Sequence, residues 1–156
     1  MGRDINESTV CRYLGKNPEA VLRCPSDSWQ EHPLNGNSAT DGPYFFSYTG
    51  NTHLLARTAE PYANSAVPIG AVKKSTQKII IGEEDEHTID DGNWVIANGH
   101  GNNLAIRHER SRFLPDDGSN WTNNLEKRGN VGMLDGHAEY APRSFVHNPL
   151  NYDPFK

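Results

Sequence analysis

Apolar positions in this chain come in short bursts, and the period of each burst predicts a short element. Lys78-Ile79-Ile80-Ile81-Gly82-Glu83 carries an unbroken apolar triplet, which predicts a strand buried on both faces. Tyr44-Phe45-Phe46-Ser47-Tyr48-Thr49 is aromatic and β-prone and ends at Gly50-Asn51. After the turn Asp90-Asp91-Gly92, Asn93-Trp94-Val95-Ile96-Ala97 predicts a second strand, with Trp94 in the core. Another turn at 98–102 leads into Asn103-Leu104-Ala105-Ile106-Arg107-His108. Gly129-Asn130-Val131-Gly132-Met133-Leu134 runs into Asp135-Gly136, and His137-Ala138-Glu139-Tyr140 returns; Asp-Gly between two such runs is a strong hairpin signal. Pro18 starts a helical turn over Glu19-Ala20-Val21-Leu22, and Leu54-Leu55-Ala56 predicts another. The polar, Pro-punctuated stretches 25–43 and 52–76 read as loop. The expectation is an α+β fold: a small antiparallel sheet with long loops and short helical segments. No internal repeat or low-complexity linker divides it, so residues 1–156 form one domain.

Composition sharpens that picture. Hydrophobic residues make up only 35% of the chain, so the core is small, and 14 Gly with 10 Pro exclude long helices. The net charge of −5, with no basic stripe, argues against nucleic acid as a partner. No apolar run approaches the ~20 residues of a membrane span. Met1-Gly2 followed by the polar Arg3-Asp4-Ile5-Asn6-Glu7 reads as an added start in place of a removed segment.

The two cysteines, Cys11 and Cys24, flank twelve residues. They allow one disulfide, which would contribute ~3 kcal/mol by loop-closure entropy and imply an oxidising compartment. Two reduced thiols are the other reading. Among the seven histidines, His100, His108 and His137 fall on or beside predicted strands, with Asp135 in the hairpin turn. Three imidazoles and a carboxylate suit zinc and hydrolytic chemistry, but no tight ligand motif is present. The favoured role is structural, with His108 bonded to Asp135 or a carbonyl of the hairpin and Asp135-Gly136-His137 forming the turn. Glu83-Glu84-Asp85-Glu86 at a strand end reads as a solvated loop rather than a pair of catalytic carboxylates. Asp90 and Asp91, together with Asp116, Asp117 and Asn120, place hard oxygen ligands on tight turns, as calcium requires. Lys127 stands where a calcium loop opening at Asp116 would close with Glu. An ordinary Asx turn competes with that reading. Trp121, in the stretch between His108 and Gly129, is the candidate for a contact surface.

Four segments in this order are more specific than any one alone: Tyr13-Leu14-Gly15-Lys16-Asn17-Pro18-Glu19 leading to Arg23-Cys24-Pro25-Ser26-Asp27; Phe46-Ser47-Tyr48; Ile79-Ile80-Ile81-Gly82-Glu83; and Arg107-His108 followed by Gly129-Asn130-Val131-Gly132-Met133-Leu134-Asp135-Gly136-His137. Together they resemble the globular heads of the prepilin-like, type II secretion protein G-like pseudopilins abundant in Planctomycetes, Verrucomicrobia and Lentisphaerae. The C-terminal segment of that family is named for a His, nine residues, then Asp-Gly. Here 26 residues separate His108 from Asp135, so an insertion lies within 109–128. The family's N-terminal processing site and long apolar helix are not present in this sequence.

The resemblance implies a non-enzymatic structural subunit of a type IV pilus-like or type II secretion pseudopilus assembly, involved in protein transport. Its partners would be other pilin or pseudopilin subunits, engaged through an N-terminal helix that would also be its sole membrane contact. The head would stand in the cell envelope, periplasmic or extracellular. Calcium is the one cofactor the resemblance favours. The alternative from another class is a secreted carbohydrate- or protein-binding module or adhesin, centred on Trp121.

Overall fold

The computed structural model of the chain describes residues 13–34, 43–57, 61–97, 100–109 and 124–156. Its fold is α+β, a mixed five-stranded sheet, mostly antiparallel, with short helices and loops. The chain enters through α1 (Pro18–Leu22), started by Pro at its first turn and capped by the Asn17 side chain on the Ala20 amide. The sheet then builds from β1 (Tyr48–Asn51), β2 (Ile79–Glu83) and β3 (Asn93–Trp94), with β6 (Arg128–Met133) and β7 (Ala138–Pro142) completing it. Its spatial order is β3-β1-β2-β6-β7. All pairs are antiparallel except β1 with β3. A separate two-stranded ribbon pairs β4 (Ile96–Ala97) with β5 (His100–Gly101).

The expected Asn93–Ala97 strand is therefore split: Trp94 belongs to the large sheet, Ile96 to the ribbon, and Val95 is exposed between them. Residues 103–106 form no strand; a single bridge joins Leu104 to Glu84. The aromatic run contributes a strand only from Tyr48. Phe46 is instead buried in a satellite cluster with Leu22, Tyr44 and Phe45. The triplet in β2 is less buried than the expected strand with both faces covered: Ile79 has no exposure, while Ile80 and Ile81 are half-buried.

The main core lies on one face of the sheet, where Ile79, Trp94, Leu104, Val131 and Met133 pack together. Trp94 occupies the space that a side chain at position 82 would take: a Cβ on Gly82 would lie 1.8 Å from its ring. The β6–β7 hairpin turns at Asp135-Gly136 as expected, with Gly136 at φ 97°, a conformation open to glycine. Two helices close the chain, α3 (Arg143–Val146) and α4 (Pro149–Tyr152), behind α2 (Thr52–Leu55). Lys78 fastens this C-terminal segment. It is fully buried and its Nζ donates to the carbonyls of Leu150 and Lys156. Asn51 adds a second tie, donating to the carbonyls of Ile79 and Tyr152.

Candidate functional site

The run Glu83-Glu84-Asp85-Glu86 is not a solvated loop. Glu83 and Glu84 have no exposure and Asp85 has 4%. Backbone pairing explains why. The Glu84 amide donates to the Ser47 carbonyl, the Asp85 amide to the Asn103 carbonyl, and the Ala105 amide to the Glu83 carbonyl. The sheet thus extends past the end of β2, and the acidic run is clamped between the entry to β1 and the 103–106 segment. Side chains alternate along extended backbone, so neighbouring carboxylates enter different surroundings.

Glu83 meets a dense polar cluster. Arg107 Nη1 donates to its Oε1 at 2.7 Å and Asn130 Nδ2 to its Oε2 at 2.9 Å. The His108 Nε2 stands 3.1 Å from Oε1 and 3.4 Å from the Cys24 Sγ. Arg107 also reaches Asp27 at 3.1 Å and Glu86 at 2.8 Å and donates to the Glu84 carbonyl. Asp27 in turn accepts from Ser47 Oγ at 2.6 Å and lies 3.1 Å from His32 Nε2. The Ser47 hydroxyl accepts from the Cys24 amide, which closes the circuit.

Electrostatics follow the partners. Burial pushes Glu83 up, but the Cys24 thiol, the Arg107 guanidinium and Asn130 outweigh it and hold the carboxyl below its usual range. Asp27 is likewise held low against its burial by His32, Ser47 and Arg107. Burial and the Glu83 carboxylate beside it raise the Cys24 thiol, and the same two causes carry half-buried Tyr48 to about 12. A thiol raised in this way is a poor nucleophile at neutral pH. The imidazole presents one nitrogen to both Cys24 and Glu83, so the three do not make the relay of a cysteine hydrolase, which needs both ring nitrogens.

Glu84, one residue on, has no cation among the partners that hold its carboxylate. Hydroxyls of Thr49 at 2.8 Å and Thr88 at 3.1 Å, with the Asn102 amide, donate to it. Burial dominates and lifts its carboxyl to about 8. Asp85 is tied to buried Arg143 at 2.8 Å and to His87 at 2.9 Å.

The expected site residues are distributed as follows. His108 bonds Glu83 and Cys24, not Asp135 or the hairpin, because 107–108 lie beside the end of β2. Asp135 instead bonds His137 at 2.5 Å, on the surface, and His137 also meets Glu139 at 2.9 Å. His108 and His137 thus belong to different clusters, and the His100 side chain lies outside the described atoms. Of the two cysteines expected to bridge, Cys24 is a buried free thiol, and Cys11 lies outside the described residues. Asp91 spends its carboxylate on the amide and side chain of Asn93, an Asx turn. Asp116, Asp117, Asn120 and Trp121 lie outside the described residues. Among the described residues, no helix is long and apolar enough to cross a membrane.

Arg107, Asp27, Asn130 and His32 were not singled out for the site from the sequence. The available signal was that Arg107, Asp27 and Asn130 all fall inside the four recognisable segments. No family model, curated protein or solved structure matches the chain.

Proposed function

We propose that this chain is the head of a filament subunit of the pseudopilin kind, a structural domain that docks and displays rather than catalyses. One observation carries the reading. The residues on which the resemblance rests, among them Cys24, Asp27, Glu83, Arg107, His108 and Asn130, bond one another in a single cluster. In an enzyme such residues converge on a cleft and leave polar groups for the substrate. Here they join the loop after α1, the entry to β1, β2, β6 and the 103–109 segment, which suits a rigid head.

In such an assembly the polymer contact is made by N-terminal helices, the partners are other subunits, and the head stands in the periplasm or outside the cell. The test is the coding sequence upstream of Arg3. A processing site ending in Gly, a Glu five residues further on and ~20 apolar residues would support the reading. An ordinary cleavable signal peptide would overturn it and leave a secreted binding module. A glycan array comparing wild type with Trp121→Ala then tests that module.

A further inference from the structure

We propose that Cys24 Sγ, Glu83 Oε1 and His108 Nε2 together form a binding site for one divalent ion of the zinc class. The spacing is the first argument. Ligand atoms at ~2.0–2.3 Å from a tetrahedral zinc ion stand about 3.3–3.8 Å apart. Here Sγ and Nε2 are 3.4 Å apart, Nε2 and Oε1 are slightly closer at 3.1 Å, and all three atoms lie within 4.8 Å of one another.

Hydrogen bonding is the second argument. One imidazole nitrogen faces two partners, and a neutral ring has at most one proton there. An ion between the three atoms engages all of them through lone pairs.

Charge balance is the third. Asp27, Glu83 and Glu86 surround Arg107, three carboxylates on one guanidinium. A bound dication offsets that excess.

The chemistry of the donors selects the ion. One sulfur, one nitrogen and one oxygen suit zinc or cobalt, whereas calcium and magnesium take oxygen alone. The bonds that hold the ligands are already in place: Asn130 and Arg107 donate to the Glu83 carboxylate, and the Cys24 amide donates to the Ser47 hydroxyl. The His108 side chain is 32% exposed, which gives the ion a route in and leaves a fourth position for water. Binding replaces the thiol proton of Cys24 by the metal, so one proton leaves to solvent per ion and no electrons move.

The test is titration of the full chain, stripped with chelator, with cobalt(II) and then zinc(II). The expected result is one equivalent bound, with a thiolate-to-cobalt charge-transfer band that zinc abolishes. That band should persist in Cys11→Ser and vanish in Cys24→Ser. His108→Ala should weaken binding at least tenfold. His137→Ala, a surface imidazole in a separate carboxylate cluster, should leave it unchanged. Absence of the band in wild type, its loss in Cys11→Ser, or equal affinity in His108→Ala and wild type would overturn the site. Should His108→Ala not fold, the wild-type and cysteine-variant spectra decide alone.

Discussion

The two sides of the sheet handle buried charge in opposite ways. On the side of Glu83, every carboxylate has a cation or several strong donors, and Glu83 and Asp27 are held ionised although buried. On the side of the Trp94 core, Glu84 has three neutral donors and sits near 8. Both residues are wholly buried and adjacent in sequence. The difference is the set of partners: the Cys24 thiol, Arg107 and Asn130 hold the Glu83 carboxylate, whereas Arg107 reaches only the backbone carbonyl of Glu84. Burial alone raises a carboxyl; strong donors and a guanidinium within hydrogen-bonding distance reverse the sign at Glu83, whereas burial still prevails at Asp85 although Arg143 is bonded to it.

Removing that guanidinium is the most severe way to break the contrast. Arg107→Ala leaves Asp27 and Glu83 buried without their cation, and a loss of about 3–5 kcal/mol is expected. Urea unfolding at neutral pH measures it; a loss no larger than that of a surface substitution would dissolve the distinction between the two sides.

Glu84→Gln acts in the other direction. The folded pKa of about 8 lies above the reference value of 4.5, so the folded state holds a proton that the unfolded chain releases. The contribution of Glu84 to stability therefore falls as pH rises from 4.5 towards 8. The variant is expected to gain stability relative to wild type, by on the order of 5 kcal/mol above pH 8 and almost nothing near pH 4. Denaturant midpoints of both proteins across that range show it, and a difference independent of pH would mean that Glu84 is ionised throughout.

Lys78→Met keeps the volume at the third buried charge but strips donors from the carbonyls of Leu150 and Lys156. A loss of about 1–3 kcal/mol is expected. Hydrogen exchange should speed up in α4 before it does in β6. The smallest effect belongs to His137→Ala. Its ion pairs with Asp135 and Glu139 are on the surface, where solvent screens them, so the melting temperature should not move measurably.

The fold was legible where short-range chemistry decides. The Asp135-Gly136 hairpin needs a residue at positive φ and a pair of flanking strands, and both are written within twelve residues. Trp94 in the core, the helical turn opened by Pro18 and the apolar strand at Ile79 follow from local pattern in the same way. The candidate site was legible only as membership: its residues fall in the recognisable segments, but their pairings do not follow from it. His108 was expected at the hairpin and is found against Glu83. The acidic run was expected in water and is found inside the sheet. Both errors have one cause, since the 103–106 segment docks beside the end of β2 through pairings of residues far apart in the chain, Glu83 with Ala105 and Asp85 with Asn103.

By itself, then, the amino-acid sequence determined the elements whose geometry is set by neighbours: turns through Gly and Pro, strands through runs of β-branched and aromatic residues. It also determined the inventory of charge that had to be accommodated. Only the tertiary structure decided which acids share a cation, because that depends on a few ångströms between segments brought together from across the chain. Cys24, Glu83 and His108 meet within one such space. Whether a carboxyl is a salt-bridge partner, a buried acid or a metal ligand is a property of that space, since the sign of its pKa shift and its ligand neighbours are both set there.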